Sequence, residues 1–390
     1  MADPTGSIPC SVAEVRHLLG LHLQALWAAP EHAHELPPLM LWGPPGVGKS
    51  AAVRDVCRQH AIGLVDIRLS QREPVDLRGL PVPRGDVVEW LLSSEWPRDP
   101  SSRGVILFDE LTAADRTLQV AAYELILDRR LGDLYAVPPG WYVVAAGNRL
   151  SDRAVSTPLS SALANRFCHV EVEADLESWA AWAVERGVHP DVIGFLRFRP
   201  DCLFDLGNTA DRGWPSPRSW ERVSTELDLL ERTPLAPDVR ARLLRVVITG
   251  LVGPGAALEF LAFRSLAAKL PDAVAMLEGR APVVVPERAD QRYALCSALV
   301  HHLRRSRDWR DLLQGFFRIG LALTSDFAAL AMVDALRDRP AEDMMAFTTH
   351  PLFEAWSRRH GTAVAGRPGR DAAALADAAL QAAGLAEVAP

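Results

Sequence analysis

The chain has 390 residues, long enough for two or three domains, with 49% hydrophobic residues and a formal net charge of −7. That mildly acidic balance argues against a broad nucleic-acid or anionic-membrane surface, while leaving room for a local basic ring in an oligomer pore. The five cysteines are scattered without a Cys-x-x-Cys pair, and neither a basic-then-apolar leader nor an apolar run of membrane-spanning length stands out. Free thiols, a cytoplasmic location and no membrane are therefore expected.

Ser11 followed by Glu14 forms a capping box, opening an apolar helix to about Ala29 that stops before Pro30. Residues 1–35 are thus an N-terminal helix and linker. His32-x-His34, like His301-His302 later, lacks further ligand spacing and reads as solvated. Leu39-Met40-Leu41-Trp42 is a buried strand, and Ser50–His60 has helical spacing of Ala51, Val53, Val56 and Cys57. Between them stands Gly43-Pro44-Pro45-Gly46-Val47-Gly48-Lys49-Ser50, a G-x-x-x-x-G-K-[ST] loop in the strand–loop–helix context that makes it a phosphate site. Pro44 and Pro45 have no N–H, so amides facing a phosphate come from Gly46 to Ser50. Gly46 and Gly48 permit close backbone approach, and the opening helix turn presents unpaired N–H groups to the same anion. Lys49, one of only two lysines in an arginine-rich chain, is placed for the β- and γ-phosphates, and the Ser50 hydroxyl for magnesium.

Leu64–Leu69 is a second strand candidate. Residues 70–104 are rich in proline, glycine and charge, with Arg84-Gly85-Asp86 as a hairpin tip between Val82 and Val87-Val88-x-Trp90. Val105-Ile106-Leu107-Phe108-Asp109-Glu110 describes a strand buried on both faces with two carboxylates emerging at its C-terminal edge, where open α/β sheets place ligands. Asp109 suits a magnesium-holding carboxylate and Glu110 the group that activates an attacking water. Thr112–Arg129 is helical. Leu131-Gly132-Asp133 marks another hairpin-like turn, and Trp141–Ala146 is a strand ending at Gly147-Asn148, where the Asn148 amide could reach a γ-phosphate or the lytic water.

Arg166, in Ala162-Leu163-Ala164-Asn165-Arg166-Phe167, is a candidate to reach a neighbouring subunit's γ-phosphate. From about Asp175 helical signals dominate: Leu176–Glu185, Arg218–Leu230, Asp238–Ile248 and Ala257–Leu270. Arg218 opens one of these helices, where a cation gains nothing from the helix dipole and an anionic partner is favoured. Val283-Val284-Val285 reads as a connector or edge strand. Helices resume from Gln291 to about Arg337 and again after 370, ending in the alanine-rich Asp371–Leu385. The expected division is 36–175 for an α/β nucleotide-binding domain, 176–270 for a helical lid and 271–390 for a helical region without a recognisable motif.

Over about residues 36–270 the chain resembles AAA+ ATPases of the MoxR and dynein-related branch. Gly43–Ser50 looks like Walker A, Val105–Glu110 like Walker B, Asn148 like sensor 1, Arg166 like the arginine finger and Arg218 like sensor 2. Segment 76–98 is placed like the helix-2 insert of that branch, and 128–140 like its pre-sensor-1 hairpin. The resemblance implies a five-stranded parallel sheet with helices on both faces, a helical lid, and a hexameric ring binding ATP and Mg2+ at subunit junctions. It also implies a chaperone-like remodeller, with a von Willebrand factor A domain protein as partner. Two other classes compete: a nucleic-acid motor or McrB-like GTPase subunit, suggested loosely by Asn148-Arg149-Leu150-Ser151-Asp152-Arg153, and a nucleotide-gated scaffold.

Overall fold

The computed structural model describes residues 8–152, 156–207, 212–267 and 272–365. It divides into two compact units, with the boundary between Ser178 and Trp179. The first is α/β and the second is helical.

Strands and helices of the first unit run in chain order: β1 (Pro9–Cys10), α1 (Val12–Ala28), β2 (Leu39–Trp42), α2 (Lys49–Gln59), β3 (Gly63–Arg68), α3 (Pro74–Arg78), β4 (Leu80–Arg84), β5 (Val87–Leu91), β6 (Gly104–Asp109), α4 (Arg116–Leu127), β7 (Arg130–Leu131), β8 (Tyr135–Ala136), β9 (Trp141–Gly147), α5 (Ser161–Ala164) and β10 (Cys168–Val172). The sheet order is β1-β10-β2-β9-β6-β3, all parallel. The five expected parallel strands are present, and the two-residue β1 adds a sixth at the β10 edge.

Successive residues of a strand point to opposite faces, so a strand covered on both sides must be apolar throughout. Met40, Ile106, Phe108, Val143 and Ala145 pack toward α4, whose Leu118, Ala121, Ala122, Leu125 and Ile126 fill that layer. Leu39, Leu41, Val105, Leu107 and Val144 face the other way, against Leu19, Leu23 and Leu26 of α1 and Val53 and Val56 of α2. The capping box at the start of α1 is formed: the Glu14 amide donates to Ser11 Oγ, and the Ser11 amide donates to the Glu14 carboxylate. Both expected hairpins exist. Strands β4 and β5 pair antiparallel around Gly85 (φ +61°), and β7 and β8 around Gly132 (φ +51°).

The second unit contains α6 (Leu176–Arg186, which starts just before the boundary), α7 (Pro190–Phe198), α8 (Pro217–Arg232), α9 (Pro237–Ala267), α10 (Ala273–Leu277), α11 (Ala289–Arg305), α12 (Leu313–Ala322), α13 (Ser325–Leu336), α14 (Ala341–Thr348) and α15 (Phe353–Ala365). Across α7, α8 and α9, Phe195 meets Phe260 and Phe263 edge-on, Trp220 meets Phe260 edge-on, and Trp220 lies tilted against Phe195. Helix α11 packs on α7 and α13, so helices from both sides of residue 270 share one packed unit. The two helices expected at 238–248 and 257–270 are both present within α9, divided at Gly253 (φ +79°) with Pro254 following, and residues 268–270 lie outside the described residues. Pro237–Leu266 has the length and apolar composition of a membrane-crossing helix, but the break at Gly253 divides it. The kink leaves neither half near the roughly 20 residues a crossing needs. Val283–Val285 is irregular rather than a strand, because no partner strand lies beside it among the described residues. The helix expected at 371–385 lies outside the described residues.

In α11, burial pushes the half-buried His301 imidazole down to about 4, with Arg305, His189 and His302 adding repulsion and Asp228 opposing it. The unfolded chain, with an ordinary imidazole near 6.5, then binds the proton more readily than the folded one. Full stability is present above about pH 6.5 and is lost as pH falls toward 4. Discounted for solvent screening, the loss at pH 5 is about 1–2 kcal/mol. Calorimetric melts at pH 7.5 and 5.0 are expected to show a smaller pH sensitivity in His301→Gln than in the parent chain.

Candidate active site

Because the sheet is all parallel, the segments that leave β2, β3, β6, β9 and β10 emerge along one edge. That edge receives Gly43, Ser70, Asp109-Glu110 and Asn148, which are far apart in sequence.

The loop after β2 requires glycine. Gly43 has φ +147°, and a Cβ there would lie 2.4 Å from the Val172 carbonyl oxygen of β10. Gly48 has φ +114° and serves as N-cap of α2 without a side-chain acceptor, so the first-turn amides stay open toward the edge. Val47 turns inward and is buried between α1 and the sheet, which anchors the loop's middle.

Lys49 is buried, and its Nζ donates to the carbonyls of Gly43 (2.5 Å) and Pro44 (3.1 Å) and to Asn148 Oδ1 (3.1 Å). Ser50 Oγ donates to Asp109 Oδ2 at 2.6 Å. The loop at 43–50, the acid closing β6 and the amide following β9 thus meet around two side chains of the first turn of α2. The pairing Ser50–Asp109 presents a hydroxyl and a carboxylate oxygen side by side, a donor set of hard oxygens that suits Mg2+ completed by phosphate and water. No cluster of three or more His, Cys, Asp or Glu that could hold a metal unaided occurs among the described residues.

Glu110 follows with φ +58°, a left-handed conformation uncommon for a non-glycine residue. Its amide donates to Asp109 Oδ1 at 3.0 Å, and its carboxylate accepts a hydrogen bond from Ser70 Oγ, just beyond β3. Asn148 is held by the fully buried Thr112: the Asn148 amide donates to Thr112 Oγ1 (3.0 Å), and that hydroxyl lies 3.3 Å from the Asn148 carbonyl. Ser70, Thr112 and Tyr123 escape the sequence reading, since each acts only through contacts distant in the chain.

Arg166 is exposed, and its Nη1 donates to Tyr123 Oη of α4 at 2.5 Å with the guanidinium over the Tyr123 ring. Arg218 lies in the other unit, exposed in the first turn of α8. Arg149 is occupied internally, pairing with buried Asp152 at 3.0 Å and with Glu171 at 3.3 Å. Arg153 lies outside the described residues. Of the five cysteines, Cys57, Cys202 and Cys296 are buried and Cys10 and Cys168 half-buried, all free thiols; burial pushes the Cys57 thiol up to about 11. His32 and His34 sit exposed beside Glu35.

No protein-family model matches the chain, and no curated protein matches it. Among solved structures, it is similar to a RuvB mutant from Thermotoga maritima, at 17% identity over 79% of this chain and 92% of that one, with a TM-score of 0.36. It is also similar to NtrX from Brucella abortus in complex with ADP, at 16% identity over 86% of this chain and 68% of that one, with a TM-score of 0.34.

Proposed function

We propose that this chain is an AAA+-type ATPase that binds ATP with Mg2+ at the edge formed by residues 43–50, 109–110 and 148, and hydrolyses it. The single observation that carries the reading is the meeting of Lys49 with Asn148 and of Ser50 with Asp109, pairs separated by 99 and 59 positions in sequence. Amides from Gly46 to Ser50 and the Lys49 ammonium would bind the phosphates, with Lys49 exchanging its carbonyl partners for phosphate oxygens. Ser50 and Asp109 would hold Mg2+, which when bound supplies neutralisation of the charge that develops on the phosphates. The Glu110 carboxylate accepts a proton from the attacking water, and the Asn148 amide orients that water or the γ-phosphate.

The finer reading extends the first. Arg166 serves the site of a neighbouring protomer in a ring, Arg218 contributes an anion contact from the helical unit, and turnover moves the hairpins near Gly85 and Gly132 to remodel a protein partner. A hexamer and a von Willebrand factor A domain partner are what the family resemblance suggests. The exposed apolar side chains of the first hairpin, Val87, Val88 and Trp90, are consistent with a protein client.

Lys49→Ala is expected to lower ATP affinity about a hundredfold or more, because it removes a buried cation from a multiply charged ligand. Isothermal titration with ATP-Mg on the full chain checks this. Unchanged affinity would remove the loop from the site. Sizing with and without ATP tests the ring.

A further inference from the structure

A chain of hydrogen bonds ending on the turn that carries Arg166 is left unused by the hydrolytic chemistry. Trp42 is the last residue of β2, directly before Gly43. Its Nε1–H donates to His169 Nδ1 at 2.8 Å, and His169 Nε2 lies 2.8 Å from the carbonyl oxygen of Ala164. An indole nitrogen can only donate and a carbonyl can only accept, so the two partners together fix one neutral tautomer, with the proton on Nε2. The ring is also held in place by packing: Phe167 meets it edge-on, and the hydrogen-bonded Trp42 indole lies beside it at 24° to its plane.

The carbonyl at the far end closes α5, two residues before Arg166. It also accepts from the Phe167 amide, and the Arg166 amide donates to Leu163. Arg166 is therefore bracketed between a carbonyl fixed by His169 and a buried Phe167, while Tyr123 holds its guanidinium from the side. The register is diagonal: His169 pairs with Met40 and Trp42 with Glu171, so the indole and the imidazole meet across the two strands two residues out of register.

We propose that Trp42, His169 and the Ala164 carbonyl form a relay that couples the phosphate loop of one protomer to the position of its own Arg166, and so to hydrolysis at the neighbouring site. His169 is a positioning residue here. The proposal rests on the reading of Arg166 as an arginine that acts in trans. A shift of Gly43 on nucleotide binding displaces the Trp42 indole, and the rigid imidazole passes that displacement to the turn carrying Arg166.

The test uses the full chain and ATP hydrolysis at saturating ATP-Mg. His169→Ala and Trp42→Phe are each expected to lower kcat about three- to tenfold with KM for ATP unchanged, and the double variant to be no worse than either single one. His169→Gln, which keeps one acceptor and one donor, is expected to recover part of the loss. A mixing experiment separates positioning from damage. Protomers of Glu110→Gln carry an intact Arg166, so added to His169→Ala they are expected to restore turnover at the latter's sound sites. Unchanged kcat in both single variants, multiplicative losses in the double, or no recovery on mixing would overturn the relay. Should His169→Ala fail to fold, Trp42→Phe, which keeps an aromatic ring at that position, and His169→Gln carry the same test. Arg166→Ala distinguishes the two levels: full activity there removes the trans arginine and the relay with it, whereas an inactive Arg166→Ala beside fully active relay variants removes the relay alone.

Discussion

Glu110→Gln is expected to bind ATP-Mg with near-native affinity and to turn it over at least a hundredfold more slowly. Among the described residues the Glu110 carboxylate is hydrogen-bonded to Ser70, while the Glu110 backbone amide donates to Asp109. A glutamine of the same length keeps an oxygen that Ser70 Oγ can donate to, so the left-handed turn at 110 and the placement of Asp109 survive. What is lost is the ability to take a proton from water, a contribution typically worth 10²- to 10⁴-fold. Because the binding side chains, Lys49, Ser50 and Asp109, are untouched, the effect falls on kcat rather than on binding. Single-turnover hydrolysis measured beside equilibrium titration checks both halves. Normal turnover would take Glu110 out of the chemistry, and a matching loss of affinity would make it a binding group instead.

The parts of this site legible in sequence are those whose signal is contiguous. Gly43–Ser50 carries its own spacing, and Val105–Glu110 advertises a strand buried on both faces by four apolar residues in a row. The glycines at 85 and 132 likewise announce their hairpins, since both adopt the positive φ that a tight turn demands. Strand β10 gives no such signal: Cys168, His169 and Glu171 lie half-buried or exposed, and only Val170 and Val172 enter the core. Strand β1 has two residues and exists only because the β10 edge is there to pair with. Helix α15 was hidden for a related reason, because its buried face is made of Phe353, Trp356 and His360 rather than an aliphatic stripe. Ser70 and Thr112 are ordinary polar residues until the parallel sheet brings them to the edge where Glu110 and Asn148 emerge. Periodicity reports burial along one element and is silent about which polar residues of different elements will meet.

Within the helical unit, Asp334→Ala is expected to cost about 3–5 kcal/mol of stability, the largest single loss among the substitutions considered. Asp334 of α13 is 1% exposed and faces Arg197 of α7, 7% exposed, with Arg197 Nη1 2.5 Å from Asp334 Oδ2. Arg337 approaches the other carboxylate oxygen at 3.8 Å, and Arg304 of α11 donates to the main-chain carbonyls of Asp334 (3.0 Å) and Arg337 (2.7 Å). Removing Asp334 takes from the buried Arg197 guanidinium its carboxylate partner, beside Arg337 and Arg304. That penalty arises from stranding a charge, not from the net worth of the pair, which desolvation largely cancels. Replacing both partners by apolar residues, Arg197→Met with Asp334→Leu, is therefore expected to lie within about 1–2 kcal/mol of the parent chain. Calorimetric or urea unfolding of all three proteins checks this, read on the transition that shifts, since two units need not melt together. If Asp334→Ala and the double replacement destabilise equally, the loss is one of packing volume, and the ion pair itself has no part in holding α7 against α13.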